Sequence, residues 1–373
     1  MPSQLSTMTP RERWVAAVKM EPLDRLPFWP KLGSNYRSWQ SAPFDKMTGG
    51  EIHDWIGSDR HEHVGDVVKE SRLFTKTETS TEGARRRTVF TTPYGELEMH
   101  LQYDGPSDSW HPVIFPVQNR QHIEWMTQWH EDATVELDTA ALEKANARAA
   151  EIDQTGIIAT GIGESPLMNW VEHLAGIENA HYLLADYPEE VEALFDAMHE
   201  HLLARARIIC EHSPADIIYM VENTSTTLIS PEQYRRFCFK HIMDYATIAQ
   251  QHGRLMVLHM CGHLKAVLPD LAKLPVAAFE AFTSPTLGNT SLLDGRAACP
   301  GKCLIGGTNA MLWLKPASEI IAKLEQDLDA LPHHRGIVPT SAGVMPPVCK
   351  PETIKAVCDW VKTYPARMQQ RFQ

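Results

Sequence analysis

The sequence predicts an α/β fold, namely a single (β/α)8 TIM barrel with one domain over residues 1–373. After Leu137, segments typical of strands alternate with segments typical of helices, and the connections between them are short. That alternation favours a parallel βα architecture. About eight strands can be counted, which favours a closed barrel over an open sheet. No Gly-x-Gly-x-x-Gly opens a helix after the first strand, so the sequence gives no support for a dinucleotide-binding fold.

The N-terminal third adds an extension and an insertion to this barrel. In Thr9-Pro10-Arg11-Glu12, a threonine cap, a proline at the first helical position and a glutamate three residues after the cap predict a helix start. Residues 26–30 read as a strand. Residues 88–92 and 96–100 flank Pro93-Tyr94-Gly95 and predict a β-hairpin. We expect this hairpin to lie in an insertion over residues 70–104 on the barrel rim.

The remaining elements follow in regular order. Predicted helices are 139–152, 176–185, 188–212, 230–251, 263–274, 291–298, 316–331 and a last helix from residue 351; predicted strands are 156–161, 216–221, 254–261, 277–282, 303–307 and 337–340. The stretch Asp59-Arg60-His61-Glu62-His63-Val64-Gly65 is close to the corrinoid-binding pattern Asp-x-His-x-x-Gly. Its glycine falls one residue too late, so we interpret it as the end of a surface helix.

The amino-acid composition indicates which kinds of binding partner the protein is expected to have. The 373 residues are 43% hydrophobic and 22% charged, as in an ordinary globular protein. The net charge is -12 without a Lys/Arg block, so we expect no nucleic-acid partner. No run approaches the roughly 20 apolar residues of a membrane helix, and the N-terminal residues lack a signal-peptide core. Seven scattered cysteines without a Cys-x-x-Cys pair suit a reducing cytoplasm.

The central motif is the stretch from Arg254 to His263, which predicts a short buried strand that ends in a glycine. Residues two apart on a strand share a face, so His259 and Cys261 project together from its C-terminal end. That end carries the chemistry in a βα barrel. An imidazole and a thiolate so placed can hold one Zn²⁺, provided that other segments supply further ligands. Without them, the cysteine is an ordinary small core residue.

Other polar residues at or beyond strand ends converge on the same mouth if the barrel forms. Glu222 and Cys349 are the further candidate ligands, which gives a predicted metal set of Glu222, His259, Cys261 and Cys349. Three protein ligands and one displaceable position are typical of catalytic zinc. The alternative is that Glu222 caps a loop and that Cys349 is a loop thiol. Glu222 and His259 are the predicted catalytic residues.

A second group of residues could line the substrate pocket. Glu164 and Glu280 follow or end strands and could reach the mouth without touching metal, and Tyr36, Met168 and Trp170 could make the pocket suit an aromatic substrate. The predicted substrate-binding residues are Tyr36, Glu164, Met168, Trp170, Glu280 and Asn309. Methionine and tryptophan serve as packing residues equally often. The other five cysteines are interpreted as structural: Cys210, Cys238, Cys299, Cys303 and Cys358.

Several motifs together resemble the uroporphyrinogen decarboxylase superfamily. They are Thr9-Pro10-Arg11-Glu12-Arg13, Glu21-Pro22-Leu23-Asp24-Arg25-Leu26-Pro27, Asp186-Tyr187-Pro188-Glu189-Glu190-Val191, Leu228-Ile229-Ser230-Pro231 and His259-Met260-Cys261-Gly262. The decarboxylase branch carries an N-terminal Arg-Gln-Ala-Gly-Arg-Tyr motif for the substrate carboxylates. This chain has Pro30-Lys31-Leu32-Gly33-Ser34-Asn35-Tyr36-Arg37 there, which lacks the arginine pair.

The resemblance therefore points to the other branch, the corrinoid-dependent, zinc-dependent methyltransferases. It implies that His259 and Cys261 bind zinc together with a later cysteine. That cysteine usually follows the glycine after the last strand directly, where this chain has Val344, and Cys349 comes five residues later. Either Cys349 reaches the metal by a different loop path, or the site uses Glu222 and other groups. Members that demethylate ethers are expected to include carboxylates among their ligands.

The expected function is methyl transfer between a small substrate, for example an aryl methyl ether, and a corrinoid on a separate protein, with Zn²⁺ as Lewis acid. Two alternatives stay open at this point. One is a metal-free decarboxylase or related lyase, which needs cationic groups that the sequence supplies poorly. The other is a non-catalytic barrel that binds a small ligand. The sequence does not determine the methyl donor, the acceptor, the direction of transfer or the oligomeric state.

Overall fold

A computed structural model describes residues 7–105 and 107–368. Its helices are Pro10–Val18 (α1), Gly49–Ile56 (α2), Arg120–Glu131 (α3), Thr139–Ile152 (α4), Pro166–Asn169 (α5), Ile177–Asp186 (α6), Pro188–His212 (α7), Pro231–Gln233 (α8), Phe239–Gln251 (α9), Leu268–Leu271 (α10), Leu292–Ala298 (α11), Ala317–Asp329 (α12) and Pro351–Thr363 (α13). Its strands are Arg60–His63 (β1), Val68–Arg72 (β2), Lys76–Glu82 (β3), Arg85–Thr92 (β4), Gly95–Asp104 (β5), Ser109–Ile114 (β6), Ala133–Leu137 (β7), Gly156–Gly163 (β8), Ile217–Val221 (β9), Leu255–His259 (β10), Ala278–Phe282 (β11), Cys303–Gly306 (β12) and Ile337–Pro339 (β13). Short 3-10 turns cover Tyr36–Trp39, Phe44–Lys46 and Leu312–Leu314, and π-helical turns cover Trp170–Leu174 and Tyr234–Cys238.

Seven strands form one parallel sheet in the order β1-β8-β9-β10-β11-β12-β13. The Phe28–Trp29 segment lies between its two edges. The Trp29 amide donates to the Pro339 carbonyl, and the Asp59 amide donates to the Phe28 carbonyl. The predicted α/β class, with a parallel and barrel-like sheet, is thus confirmed.

Two hydrophobic clusters separate the inside of the sheet from its outside. Alternate strand residues such as Ile217, Tyr219 and Val257 belong to the inner cluster, together with Trp14 of α1. Their neighbours, such as Ile218 and Leu258, belong to the larger cluster between sheet and helices. This alternation follows from the two-residue period of a strand. It determines which side chains can reach the barrel mouth.

The inserted region is larger than one hairpin. β3, β4, β5 and β6 form a four-stranded antiparallel sheet that extends to Ile114, and β4 and β5 pair around Pro93-Tyr94. β2 and β7 form a separate antiparallel pair. β4 and β5 pack against α3, where a Cβ on Gly95 would lie 2.2 Å from the Trp125 ring.

Two predicted elements are wrong. The helix predicted over 263–274 is only the short α10, since Pro269 has no N–H to donate and favours a helix start at this point. The stretch Asp59–Gly65 is not the end of a surface helix, because residues 60–63 form β1 inside the sheet. Asp59 is fully buried and accepts hydrogen bonds from Arg13 and Arg25.

In the described part of the chain, no helix combines the length and the hydropathy needed to cross a membrane.

Candidate functional site

The C-terminal end of β10 places the two central candidates. His259 pairs in register with Val221 of β9 and with Glu280 of β11. The chain then passes through Cys261 to Gly262. A Cβ on Gly262 would lie 2.2 Å from the Ser225 Cβ, so only glycine lets the loop pass there. Cys261 is the one exposed thiol among the seven cysteines, and none of the seven is in a disulfide.

The imidazole of His259 is held from the side by a buried network. Its Nδ1 bonds to the carboxylate of Glu280, which is fully buried. The Tyr219 hydroxyl donates to the same carboxylate and lies 3.0 Å from Nδ1 of His259. Lys31 Nζ lies 3.3 Å from both Glu280 oxygens. Since Nδ1 is engaged with Glu280, Nε2 is the nitrogen that His259 can offer to a ligand.

The charges of this network stabilise one another. Burial by itself raises the pKa of Glu280, but the positive charges of Lys31 and His259 outweigh it and hold that pKa far below its ordinary value. Burial by itself lowers the pKa of His259, but the Glu280 charge and hydrogen bonds to Cys261 and Glu280 raise it to about 9. Such a carboxylate–histidine pair fixes the tautomer and the orientation of a metal-binding imidazole.

His259 lines a cavity of about 670 Å³ at the open end of the sheet, hereafter the barrel-mouth cavity. Its wall also contains Lys31, His61, Tyr219 and Val344. The His61 ring stacks on Trp29 with a centroid distance of 4.4 Å. Burial and the neighbouring His63 lower the pKa of His61 to about 3, so the ring is neutral at pH 7.

Cys261 is connected to a second polar group through Asn223. The thiol donates to Asn223 Oδ1 at 3.5 Å, and Asn223 Nδ2 donates to Glu172 Oε2 at 3.0 Å. Asn223 has a left-handed φ of 47°, which asparagine tolerates better than most residues, and its amide donates to the His259 carbonyl. The second Glu172 oxygen is buried and has no hydrogen-bond partner in the described part of the chain.

Glu172 belongs to a cluster with Glu164 and His173. Their ligand atoms all lie within 4.8 Å of one another, and among the described residues no other group of three His, Cys, Asp or Glu meets that distance. Burial and the Glu164 charge raise the pKa of Glu172 to about 7, and the charge of His259 opposes this shift. Glu164 therefore lies in a polar cluster, as the sequence suggested, but beside residues that the sequence did not single out.

Glu222 does not join His259 and Cys261. It follows Val221, an inner-face residue, and therefore points to the outer face of the sheet. Its side chain is fully buried, and both oxygens accept from Ser165, one from the amide at 3.0 Å and one from the hydroxyl at 2.6 Å. Burial raises its pKa to about 8. The structure thus supports the alternative in which Glu222 holds a neighbouring loop.

Cys349 is also separate from the pair. Its thiol is buried in the outer cluster, and burial raises its pKa to about 12. Tyr36 is buried as well, and its hydroxyl donates to the Cys349 carbonyl. Tyr36 therefore fixes this loop. Val344, at the usual position of the family's cysteine, does line the barrel-mouth cavity.

Three further predicted pocket residues have packing roles instead. Met168 and Trp170 are fully buried in the outer cluster, and the Trp170 indole donates to the Ala180 carbonyl. Asn309 is buried and bonds to the Ser284 and Pro285 carbonyls and to the Leu312 amide. Glu280 differs from these three residues because it does lie at the site, where it hydrogen-bonds to His259. Trp14, Trp29 and Tyr219 pack inside the sheet.

Sequence reasoning missed several residues of the site. Tyr219 lies two residues before Val221 on the same strand, so the two side chains point to the same face. This spacing could have identified Tyr219 as an inner-face residue. Lys31 and Asn223 lie on connections, and Glu172 and His173 lie in the π-helical turn Trp170–Leu174, whose irregular geometry gives no period that indicates their direction.

Residues 124–364 match the family model described as "Uroporphyrinogen decarboxylase (URO-D)", which is more than half of the chain. The chain therefore belongs to the uroporphyrinogen decarboxylase family. The motifs around Asp186, Leu228 and His259 all fall inside the matched region.

Two relatives come from Methanosarcina mazei. The chain is 22% identical over 291 residues to its "Methylated-thiol--coenzyme M methyltransferase", an alignment that covers 75% of this chain and 71% of that protein. A solved structure titled "methyltransferase from Methanosarcina mazei" superposes with a TM-score of 0.62 at 16% identity, over 96% of this chain and 100% of that one. At this identity the superposition shows a shared fold.

Proposed function

We propose that this protein is a methyltransferase that moves a methyl group between a small substrate and a corrinoid carried by a separate protein. The observation that carries the proposal is the pair at the end of β10. The buried carboxylate of Glu280 holds His259 Nδ1, and the exposed thiol of Cys261, two residues later, donates to Asn223. Family membership and the methyltransferase from M. mazei support the same reaction class.

His259 and Cys261 fit a zinc site as two of its ligands, because imidazole nitrogen and thiolate are preferred zinc donors. When bound, zinc would supply Lewis-acid chemistry: it would polarise the oxygen of a methyl ether or hold a thiol substrate as thiolate. We propose Glu172 as the third ligand. It shares Asn223 with Cys261, the charge of His259 lowers its pKa, and one of its buried oxygens has no hydrogen-bond partner among the described residues.

The remaining residues of the network orient this pair. Glu280 fixes the imidazole with Nε2 free, while Lys31 and Tyr219 fix Glu280. In the demethylating direction, which we favour, the bond between oxygen and the methyl carbon breaks. The methyl group passes to Co(I) of the partner's corrinoid, which supplies the electron pair, and the oxygen leaves with a proton from the medium.

The alternative of a decarboxylase for a polycarboxylate substrate receives less support from the cavity. Lys31 is the single Lys or Arg among the residues that line the barrel-mouth cavity, and it is ion-paired with Glu280. Recognition of several carboxylates requires several unpaired cationic donors. Because Lys31 is already ion-paired, the residues that line the barrel-mouth cavity offer no unpaired Lys or Arg to such a substrate.

The test is the zinc content of purified protein, measured by mass spectrometry of the metal. We expect near-stoichiometric zinc in the wild type and its loss in His259→Ala and Cys261→Ser. We expect a 10- to 100-fold weaker zinc affinity in Glu172→Gln. Glu222→Gln and Cys349→Ser are the matched controls and should keep their zinc.

Two results would contradict the proposal. Absence of metal from well-folded wild type would remove the zinc mechanism. Loss of zinc in His173→Asn but not in His259→Ala would place the metal in the Glu164–Glu172–His173 cluster alone. With zinc present, methyl transfer is assayed with methoxylated aromatics and a Co(I) corrinoid acceptor.

We also infer that residues 1–373 form one domain around a closed eight-stranded barrel in which Phe28–Trp29 supplies the first strand. The backbone hydrogen bonds from this segment to both sheet edges support that count. Residues 1–6, 106 and 369–373 of this range lie outside the described ones. Seven unpaired cysteines support the expectation of a reducing cytoplasm.

A further inference from the structure

The inserted four-stranded sheet has one open edge, which is β3. Within the described part of the chain, β3 pairs only with β4, and all seven residues of Lys76–Glu82 are exposed. The strand contains neither proline nor glycine, and its ladder to β4 has no bulge. The opposite edge strand, β6, contains Pro112, and its ladder to β5 shifts register between His100 and Leu101. Proline and bulges protect an edge from pairing with another chain, so β3 is the edge that stays open to such pairing.

The hairpin between β3 and β4 determines which backbone groups of β3 face outward. Its loop consists only of residues 83–84, so Glu82 and Arg85 form a hydrogen-bonded pair beside it. Hydrogen-bonded and non-hydrogen-bonded pairs alternate along an antiparallel ladder. Every second residue of β3 therefore directs its N–H and C=O groups away from β4, towards the open side. These residues are Thr77, Thr79 and Thr81.

We propose that β3 pairs antiparallel with β3 of a second copy of this chain, about a twofold axis at Thr79, so that the two inserted sheets form one continuous sheet. A twofold homodimer uses the same surface on both copies. Thr79 then lies opposite Thr79 of the second copy, and Thr77 lies opposite Thr81. Each of these pairs exchanges two N–H···O bonds, which satisfies the outward backbone groups of the edge. The pairing involves no residue of the His259 site and is independent of the proposed function.

The charges of β3 complement one another in this register. Lys76 lies opposite Glu82 of the second copy at both ends of the paired strands, and Glu78 lies opposite Ser80. Opposite charges directly across a strand pair are stabilising, and like charges there are destabilising. A shift by two residues in one direction places Glu78 opposite Glu78, and a shift in the other direction places it opposite Glu82. A shift by one residue brings residues whose backbone groups already bond to β4 against the open edge. The sequence of β3 thus specifies a single register.

The side chains of β3 continue both faces of the sheet in this register. Thr77 Oγ1 accepts from the Trp129 indole of α3 at 2.9 Å, and Thr79 Oγ1 lies 3.1 Å from Thr88 Oγ1. The threonines therefore lie on the face that packs against α3, and the charged residues lie on the opposite face. Across the two copies, threonine meets threonine on one face, a pair that stabilises antiparallel sheets, and lysine meets glutamate on the other.

The segment before β3 adds exposed apolar surface beside the edge. Leu73 is 85% exposed and Phe74 is 74% exposed. The carboxylate of Asp132 accepts from the amides of both residues and of Thr75, which fixes this segment. In the proposed register Phe74 lies level with Ala84 of the second copy, in the turn that follows β3. The dimer therefore covers apolar surface at both ends of the paired strands, as expected for an exposed apolar patch that serves as an interaction site.

The experiment is sedimentation velocity of the full-length protein at concentrations up to about 100 µM, because a paired edge is small for a stable interface. We expect the wild type to form a dimer. Thr79→Pro removes an outward N–H that takes no part in the ladder to β4, and it should raise the dissociation constant at least tenfold. Lys76→Glu places glutamates opposite each other at both ends and should also raise it at least tenfold. The double variant Lys76→Glu/Glu82→Lys restores opposite charges across the interface, and its dissociation constant should return to within about threefold of the wild-type value.

Lys69→Glu, in the exposed ion pair with Glu136 between β2 and β7, is the matched control and should leave the dimer unchanged. A wild type that stays monomeric at every concentration overturns the inference. So does a dimer that Thr79→Pro and Lys76→Glu do not weaken, or one that the double variant does not restore, since such a dimer uses another surface. Circular dichroism checks the fold of each variant. If Thr79→Pro does not fold, the charge reversal and its rescue decide the outcome.

Discussion

Glu222, directly after β9, and Glu280, within β11, are both fully buried carboxylates of one sheet, yet their pKa values shift in opposite directions. Burial raises the pKa of Glu222 to about 8, because only uncharged donors of Ser165 contact it. For Glu280, Lys31 and His259 outweigh burial and lower the pKa. The comparison teaches that the role of a carboxylate depends on the face of the sheet to which its strand position points it. Glu280 points to the inner face, where it contacts cations near the barrel-mouth cavity. Glu222 points to the outer face, where it holds a loop.

The largest expected effect comes from removing the cation beside Glu280. Lys31→Met leaves a buried carboxylate with an incomplete set of partners, and we expect a loss of about 3 kcal/mol in the free energy of unfolding at pH 7. Urea denaturation measures it. Lys69→Met, in the exposed pair with Glu136, is the control and should cost less than about 0.5 kcal/mol. Equal effects in the two variants would show that Glu280 does not depend on Lys31.

The pH dependence of stability tests Glu222. Its pKa is raised from 4.5 in the unfolded chain to about 8 in the fold, so folding favours the protonated form. The associated stability is complete below pH 4.5 and is lost as pH rises towards 8. Glu222→Gln removes this contribution, so the variant should gain stability relative to wild type between pH 5 and pH 8. Parallel curves would mean that Glu222 is ionised in the fold.

Removal of the Tyr219 hydroxyl should have a smaller effect. Tyr219→Phe deletes one hydrogen bond to Glu280 and keeps the ring in the inner cluster, so we expect a loss of about 1 kcal/mol in thermal unfolding. If His259 binds zinc, its affinity should also fall, because Glu280 orients the imidazole less firmly. Competition with a chromogenic chelator measures that affinity. Tyr245→Phe should leave it unchanged, because the Tyr245 hydroxyl bonds to His199 of α7 instead of Glu280.

The smallest effect is expected at Cys349. Its thiol is buried in the outer cluster, separate from the pair His259 and Cys261, and burial raises its pKa to about 12. Cys349→Ser should therefore change neither zinc content nor zinc affinity, although it costs some packing energy. A variant that loses its zinc would restore Cys349 as a ligand and would show that its loop moves towards His259 when metal binds.

Much of the fold follows from local sequence signals. The Thr9 capping box and the prolines at residues 188, 231 and 351 begin helices where expected, because caps and proline act within one helical turn. The stretch at residues 60–63 was missed because Arg-His-Glu-His has no apolar signature of a buried strand. Its place in the sheet is fixed by contacts with other segments, namely Trp29 stacking on His61 and the arginine pairs of Asp59.

The sequence by itself singled out His259 and Cys261 as candidates, because a two-residue spacing at the end of a predicted strand requires no knowledge of the rest of the chain. It also determined the family, through short motifs spread over the chain. Only the tertiary structure decided the partners of that pair. Lys31 lies on a connection, Glu280 on β11 and Glu172 in a π-helical turn. Whether these side chains come close to His259 and Cys261 depends on how the sheet closes and how the loops run, which no local sequence pattern encodes. Glu222 and Cys349 were expected at the mouth, but both lie in the outer layer. A shift of one residue along a strand, or one turn of a loop, points a side chain to the opposite face, and the sequence alone does not reveal either.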